Sequence, residues 1–270
     1  MIRCTTCGLI RRNLIFPKSQ LQQIFSQAYF FEDQKNYFAG CFQPHKLPPD
    51  RKKDFLHRLK QLQTHLTRSL SFPKKILDIG CATGFFLHLA KTKGWQVQGV
   101  EISPLAASFA KKYFHLPVFI GTLEDAHFLP RSFPVITCWE VLPYIENPGR
   151  FLKTIYRLLP PGGLFALQLT VVDSLLHYLA NLSYYLSGGK FKFIAAKGYP
   201  YQNAYHFTRA STRAFLSRFN FRILQEENIE IDYRLSALPQ KFLPLLQFIS
   251  LGSRLTGKTI QYRVIAQKPV

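Results

Sequence analysis

A glycine turn with carboxylates on either side of it is the part of this 270-residue chain whose residue types are suited to chemistry. The stretch KILDIGCATGFFLHLA reads as a buried strand with one charge, Asp78, followed by Gly80 and Gly84 and then by an apolar helix. Glycines let a backbone approach a ligand closely, and the first turn of a helix has N–H groups without intrahelical partners. The pattern therefore predicts a ligand site at this turn.

The two carboxylates indicate which ligand the turn accepts. The spacing is G-x-x-x-G and not G-x-G-x-x-G, and Asp78 would repel a pyrophosphate but attract an amine or a sulfonium. Glu101 ends the next predicted strand, about 20 residues on, where a carboxylate can accept both ribose hydroxyls. Together these features favour a cationic nucleoside.

The elements that position these residues alternate between strand and helix from residue 75 onward, which predicts an α/β doubly wound sheet. Strands are predicted at 76–79, 96–100, 118–120, 134–138, 164–170, 221–231 and 259–266. Helices are predicted at 21–31, 50–70 with Asp50 as N-cap, 84–92, 104–113 with Ser103 as N-cap, 152–159, 173–186, and 209–219 with Thr208 as N-cap.

Four stretches carry a resemblance to a known family. ILDIGCATGFF, GVEIS, GTLEDAHFLPRSFPVITCWEVL and LLPPGGLFALQLT occur in this order between Lys74 and Thr170. In sequence and spacing they resemble the motifs of the class I S-adenosylmethionine-dependent methyltransferases. The resemblance implies a Rossmann-like, seven-stranded, mostly parallel sheet with helices on both faces. It also implies a methyltransferase with S-adenosylmethionine as its cofactor.

The resemblance assigns eleven positions to the cofactor. They are Asp78 at the methionyl end, Gly80, Cys81, Ala82 and Gly84 along the methionine and ribose, Glu101 at the ribose hydroxyls, Ile102, Leu123 and Glu124 around the adenine, and Cys138 and Trp139 facing the sulfonium. For Cys81 and Cys138 we prefer a packing role to a nucleophilic one. Glu124 has the alternative of a solvated loop acid.

Two residues are candidates for catalysis. Many small-molecule relatives read VLEH where this chain reads Val141-Leu-Pro143-Tyr144, so we predict neither a divalent metal nor a histidine base there. Glu140 is then the acid next to the cofactor, and His206 is the histidine nearest the predicted cleft and our candidate general base. The alternative for each is structural: a hydrogen-bond acceptor for Glu140 and a side chain beside a helix cap for His206.

The predicted organisation is an arm at 1–50, without regular structure except for its short helix, and a methyltransferase domain at 51–270 with a helical lid inserted at about 172–206. The arm contains a C-x-x-C pair, Cys4 and Cys7, which are weak zinc candidates, with Cys41 and His45 as the nearby residues that could complete a site. A vestigial or truncated zinc ribbon, or plain thiols, is the alternative.

Charge and composition limit the partners. The net charge is +20, with +8 on residues 1–70, +4 on 71–170 and +8 on 171–270, which favours an anionic partner or reflects a general basic bias. No apolar run is long enough to cross a bilayer, no secretory signal is visible, and five cysteines without a disulfide pattern indicate the cytoplasm. The apolar stretch at 242–249 either packs over the sheet edge or lies on a membrane surface.

The leading function is methyl transfer to a small-molecule acceptor, anionic or linked to a lipid or a sugar, at an O, N or C atom. The basic charge raises a second hypothesis, an RNA methyltransferase, but the chain has neither the N-P-P-[YF] motif of amino methylation nor a catalytic-cysteine motif. The third is a non-catalytic protein that binds S-adenosylmethionine.

Overall fold

The computed structural model describes residues 1–13, 18–26, 29, 42–69, 72–190, 198–200, 202–231 and 243–270. Two sheets and eight α-helices are present in these residues. The helices are α1 Lys18–Ile24, α2 Pro49–Ser69, α3 Phe85–Thr92, α4 Pro104–Phe114, α5 Pro148–Leu158, α6 Leu175–Leu186, α7 Arg209–Arg218 and α8 Leu243–Thr256. The strands are β1 Ile2–Arg3, β2 Ile10–Arg11, β3 Lys75–Ile79, β4 Gln96–Glu101, β5 Val118–Ile120, β6 Val135–Trp139, β7 Leu164–Thr170, β8 Tyr205–His206, β9 Arg222–Ile229 and β10 Gln261–Gln267.

The large sheet has seven strands in the order β5-β4-β3-β6-β7-β10-β9. The strands from β5 to β7 are parallel, whereas β10 is antiparallel to both of its neighbours. This confirms the predicted Rossmann-like, mostly parallel sheet. The chain runs outward from β3 through β4 to β5 and then continues on the other side of β3 with β6. Ligands of such folds bind at the carboxyl ends of the strands where the order changes direction, which here are β3 and β6.

Alternation along the strands divides the core into two layers. Ile76 packs in one layer with α2, α3 and α4, and its neighbour Leu77 packs in the other with α5 and α7. Successive side chains of a strand point to opposite faces, so parallel strands covered on both sides are apolar throughout. Asp78 breaks that rule because it lies at the carboxyl end of β3.

The predicted helix boundaries are partly wrong, for local reasons. Helix α5 begins at Pro148, four residues before the prediction, because Asn147 caps it and the proline suits the first helical position. Asp50 lies inside the first turn of α2 and not before it. Ser103 and Thr208 do cap α4 and α7, as predicted.

The N-terminal arm is more regular than predicted. Strands β1 and β2 form a three-stranded antiparallel sheet with β8, which lies near the end of the predicted lid. Helix α1 ends at Ile24, and the later part of the predicted helix at 21–31 falls largely outside the described residues. The arm therefore pairs with the lid, and the division of the chain at residue 50 stays a prediction.

Candidate active site

The turn after β3 has the backbone geometry that the glycines predict. Gly80 has a φ of +73°, and a Cβ there would lie 2.2 Å from Cγ2 of Val141. Its N–H donates to the carbonyl of Val100 at 2.8 Å, which ties the turn to the end of β4. Gly80 is thus required both by its φ and by the close approach of Val141.

Glu101 fixes the same turn from the neighbouring strand. Its carboxylate accepts the backbone N–H of Ala82 at 2.8 Å and that of Ser103 at 2.9 Å. Burial raises the pKa of Glu101, while these backbone N–H groups oppose the rise. The carboxylate is therefore held in one orientation before any ligand arrives.

Asp78 is the second buried acid of the site. It accepts the hydroxyl of Thr137 at 2.6 Å, and burial raises the pKa of Asp78 to about 7. The positive charge of Arg58 acts in the opposite direction and favours the carboxylate. A cationic ligand group beside Asp78 would likewise favour its charged form.

Arg58 is a site residue that the sequence analysis missed. It lies on α2, is only 6% exposed, and donates through Nε to Asp54 at 2.8 Å. Its Cζ lies 4.6 Å from the centre of the Trp139 ring, within the range of a cation–π interaction. The signal was present, because Arg58 falls beside Phe55 and Leu62 at helical spacing on the apolar stripe of α2.

Asp54 links Arg58 to a second buried arginine. Arg263 of β10 donates to Asp54 at 2.6 Å and to Oε1 of Gln168 at 3.0 and 2.8 Å. Gln168 in turn donates to Glu140 at 3.5 Å. Helix α2 is thereby tied through polar side chains to the strand ends that border the site.

Glu140 is saturated with donors. It has a φ of +59°, and its carboxylate accepts the N–H of Thr170 at 3.0 Å and the side-chain amide of Gln261 at 2.9 Å, in addition to Gln168. Burial raises the pKa of Glu140 against the effect of these bonds. The arrangement favours the structural alternative given above for this residue.

The thiols of the site are held in their neutral form. Burial raises the pKa of Cys81 and of Cys138, and the nearby carboxylates, Glu101 at Cys81 and Asp78 at both, act in the same direction. A thiol with a raised pKa is a poor nucleophile. Both cysteines therefore fit the packing role that the sequence analysis prefers.

His206 is not brought to this site. It lies in β8, is almost fully buried, and its ring packs against that of Tyr199. Burial lowers the pKa of His206 to about 4, and its Nε2 has no hydrogen-bond partner among the described residues. We predicted this histidine near the cleft because it lies in the segment that leads from the lid into α7. In the structure, pairing of β8 with β2 holds it in the small sheet instead.

One cavity of about 500 Å³ joins the turns after β3, β4 and β6. Nine of the eleven predicted cofactor residues line it, and so does Glu140, whereas Gly84, Cys138 and His206 do not. Gly84 instead allows α3 to pack closely on Leu116, since a Cβ would lie 2.5 Å from that side chain. The nine residues are Asp78, Gly80, Cys81, Ala82, Glu101, Ile102, Leu123, Glu124 and Trp139.

The N-terminal arm and helix α2 form another part of the cavity wall, which the sequence did not predict. Leu21, Phe25 and Tyr29 reach it from the arm, and Arg51 and Phe55 reach it from α2. The positions Arg51, Phe55 and Arg58 are spaced to lie on one face of α2. This side of the cavity therefore combines apolar and aromatic side chains with two arginines.

The C-x-x-C pair lies outside the cavity. Cys4 is exposed and Cys7 is half-buried, and backbone N–H groups of Cys7 and Thr6 lower the pKa of the Cys4 thiol. In the part of the chain that is described, no group of three or more His, Cys, Asp or Glu side chains is placed to hold a metal ion. Cys41 lies outside the described residues.

Comparison with known proteins identifies the family. A family model described as a methyltransferase domain matches residues 49–226. The ubiquinone biosynthesis O-methyltransferase of Schizosaccharomyces pombe mitochondria is 38% identical over 117 residues, which are 41% of this chain and 42% of that protein. The Idiomarina loihiensis protein of the same description is 32% identical over 133 residues, which are 46% of this chain and 50% of that protein. The chain thus spans about half the length of the curated relatives it matches.

Solved structures agree on the fold. An S-adenosylmethionine-dependent methyltransferase of Methanosarcina mazei superposes with a TM-score of 0.55 at 20% identity, covering 76% of this chain and 97% of that one. The [4+2]-cyclase SpnF superposes with a TM-score of 0.61 at 15% identity, covering 95% and 98%. At this identity the likeness concerns the fold alone, and it includes an enzyme described as a cyclase.

The sheet order and the glycine turn define a Rossmann-like α/β protein with a cavity at the carboxyl ends of β3 and β4, and two buried acids line this cavity. The chain belongs to the class I S-adenosylmethionine-dependent methyltransferases, and S-adenosylmethionine is its cofactor.

Proposed function

We propose that this protein methylates a hydroxyl group of a small, largely apolar aromatic acceptor. The observation that carries the proposal is that one continuous cavity is lined both by the turns after β3 and β4 and by aromatic side chains of the arm and of α2. An acceptor in that space would lie next to the cofactor and away from water. Holding two reactants together in this way is the main contribution that a methyltransferase makes.

The acceptor side of the cavity favours a molecule that is apolar with one anionic group. Phe25, Tyr29 and Tyr144 supply aromatic surface there. Arg51 and Arg150 also line the cavity, and a guanidinium binds a carboxylate in a fixed geometry. A hydroxylated benzoate, with or without an attached apolar chain, combines these properties.

The relatives support the choice of oxygen as the acceptor atom. Two of them, at 38% and 32% identity, are described as O-methyltransferases of ubiquinone biosynthesis. The matched segments cover only about half of each relative. Because these relatives are described as enzymes of ubiquinone biosynthesis, we also propose, more specifically, that the acceptor is linked to a lipid.

The residues at the turn fit the cofactor. Glu101, Ile102 and Leu123 all line the cavity. This supports the proposal that Glu101 accepts the ribose hydroxyls and that Ile102 and Leu123 border the adenine. Asp78 and Arg58 provide a negative and a positive group for the ammonium and carboxylate of the methionyl end. Trp139 has a buried indole Nε1 without a hydrogen-bond partner among the described residues, a donor that a bound ligand can satisfy.

The chemistry then needs little from the protein besides position and exclusion of water. S-adenosylmethionine, when bound, would supply an electrophilic methyl group. The residues of the turn after β3 would hold it beside the acceptor hydroxyl, whose proton would pass to solvent. Glu140 keeps the end of β6 in place through its bonds to Thr170 and Gln261. We assign it a positioning role, not that of a base.

The experiment is transfer of a radioactive methyl group to a panel of acceptors. Hydroxylated benzoates with and without an isoprenoid chain, bulk tRNA and bulk rRNA are incubated with the full chain and labelled cofactor. We expect label in the organic extract for at least one hydroxylated aromatic compound. An Arg150→Gln variant should lose more activity on acceptors with a carboxylate than on their esters, while Lys153→Gln on the same helix serves as the control.

Two other results would replace the proposal. Label that remains with the RNA and falls with rising salt would favour the RNA methyltransferase that the +20 charge suggests. Calorimetric binding of S-adenosylhomocysteine without transfer to any acceptor would favour a non-catalytic binding protein. Failure of both binding and transfer would contradict the assigned site itself.

We also propose that the reaction takes place in a reducing compartment, namely the cytoplasm, as the cysteine pattern of the sequence predicts. The four cysteines within the described ranges, Cys4, Cys7, Cys81 and Cys138, are all free thiols. This supports the proposal, because disulfides form readily in oxidising compartments.

A further inference from the structure

Helix α8 has the reverse of the usual distribution of side chains. Toward the protein it buries Leu246, Ile249 and two serines, Ser250 and Ser253. Its large apolar side chains point the other way, and they are Leu245, Phe248 (75% exposed), Leu251 and Leu255 (80% exposed). A surface helix normally has its polar residues outside, so this outer face is suited to an apolar environment.

Helix α6 adds a second apolar face beside α8. The two helices pack closely where Gly252 of α8 meets Leu175 of α6, and the N–H of Leu175 donates to the carbonyl of Lys258 at 2.9 Å. The large exposed side chains of α6 are Tyr178, Leu182, Tyr184, Tyr185 and Leu186. Single exposed apolar residues are common, but nine on two adjoining helices indicate an interaction surface, called here the α6–α8 face.

The exposed charges on α6 and α8 and in the residues that directly follow each helix are of one sign. The sequence has no Asp or Glu from Ser174 to Gln225 or from Tyr233 to Val270. Lys190, Arg254 and Lys258 are exposed at the ends of the two helices. Asp173, which precedes α6, is paired with Arg209 at 2.9 Å. The α6–α8 face is therefore apolar with a basic border.

We propose that the α6–α8 face docks on the surface of an anionic lipid bilayer. Apolar residues enter the boundary between head groups and acyl chains, while lysines and arginines at its border attract anionic lipids. Tyrosines are suited to this depth because their rings are apolar and their hydroxyls are polar. None of the helices that the structure describes is long and apolar enough to cross a bilayer.

Charge decides between a membrane and a second copy of the chain. Two copies meeting at this face would bring their basic borders together, which is unfavourable. An anionic bilayer has the complementary sign. The inference goes beyond the proposed function and does not depend on it, since vesicle binding is measured without cofactor or acceptor.

The test is flotation of the full chain with vesicles of phosphatidylcholine alone or mixed with phosphatidylglycerol. We expect binding to the mixed vesicles that is roughly tenfold stronger and that falls with added salt. The variant Phe248→Ser/Leu251→Ser/Leu255→Ser should lose about tenfold or more in binding. The variant Arg254→Gln/Lys258→Gln should lose binding to the mixed vesicles only.

Matched controls use residues of the same kind elsewhere on the surface. Leu129→Ser removes an equally exposed leucine (75%), and Lys93→Gln/Lys153→Gln removes two exposed lysines; neither should change binding. Light scattering on the same variants measures the oligomeric state. Absence of vesicle binding by the wild type, or a wild-type dimer that the triple variant converts to a monomer without any effect on vesicles, would overturn the proposal.

Discussion

At the scale of residues, Asp78 and Arg58 place opposite charges at one end of the cavity. Each is buried, and each is held by another side chain, Asp78 by Thr137 and Arg58 by Asp54. The methionyl end of the cofactor has an ammonium and a carboxylate, so this pair is complementary to it. Asp78 was visible in the sequence as a charge in an apolar strand, whereas Arg58 became a site residue only when α2 was placed over Trp139.

The pair predicts how cofactor affinity depends on pH. Burial raises the pKa of Asp78 to about 7 in the free protein, so below that pH the acid is protonated and binding of a cation must release the proton. Affinity for S-adenosylhomocysteine should rise by up to about tenfold per pH unit from about pH 5 toward pH 7 and then level off. By the same linkage, stability of the free protein should fall as pH rises from about 4 to about 7, because the folded pKa lies above the unfolded one.

Two variants separate the two charges. Asp78→Asn should remove the pH dependence of binding measured by calorimetry. Arg58→Gln should weaken S-adenosylhomocysteine roughly 10- to 100-fold, the loss expected for a hydrogen bond to a charged group, and should leave 5′-methylthioadenosine unchanged because it has no carboxylate. Equal losses for both ligands would show that Arg58 supports the fold and not the methionyl end.

At the scale of elements, the turn from β3 to α3 is the part whose backbone the sequence specifies most strongly. Gly80 in this turn has a φ of +73°, and Gly94, which follows the end of α3, has a φ of +80°. They differ in their surroundings: a Cβ at Gly80 meets Val141, whereas a Cβ at Gly94 has nothing within 4 Å. The two positions therefore allow the cost of the φ angle to be separated from the cost of lost space.

Replacing each glycine by alanine tests this difference. Gly94→Ala should lower the free energy of unfolding by about 1 kcal/mol through its φ alone. Gly80→Ala should lower it by roughly 2–4 kcal/mol, because crowding is added, and should also weaken S-adenosylhomocysteine. Urea unfolding and calorimetry measure the two effects. If both variants lose the same stability and keep full affinity, the turn does not form the cofactor cradle.

At the scale of the whole molecule, strand pairing joins the N-terminal arm to the end of the predicted lid. Strand β2 pairs with β8, and the hydroxyl of Thr208 donates to the carbonyl of Cys7 at 2.9 Å. The amide of Ala204 donates to the carbonyl of Pro143 at 2.9 Å, next to Tyr144 in the cavity wall. The arm therefore contributes side chains to the cavity wall and also supports that wall indirectly, through its pairing with β8.

Removal of residues 1–13 tests this connection. Without β1 and β2, strand β8 loses its partner, and amide exchange in residues 203–208 should accelerate about 10- to 100-fold through local opening. Exchange in β7 should stay unchanged, because the large sheet keeps all its neighbours. Equal acceleration in both segments would indicate global destabilisation, and no change in either would contradict a role of the arm in holding β8.

The sequence by itself determined the sheet and the cofactor, and it pointed to nine residues that line one cavity. These depend on local patterns: apolar strands, glycines at positive φ, caps such as Ser103 and Thr208, and acids at strand ends. Each signal lies within a few residues of the feature it specifies, and the order of strands follows from the way parallel units connect.

Only the tertiary structure decided the rest of the site. His206 was near the cleft in the order of elements, but strand pairing holds it in the small sheet. Arg58 and Phe25 are distant in sequence from the glycine turn, yet both line its cavity. The physical reason is that such neighbours are set by the packing of whole elements. A local pattern can show that a side chain such as Arg58 lies on a packed helix face, but not which distant segment it meets.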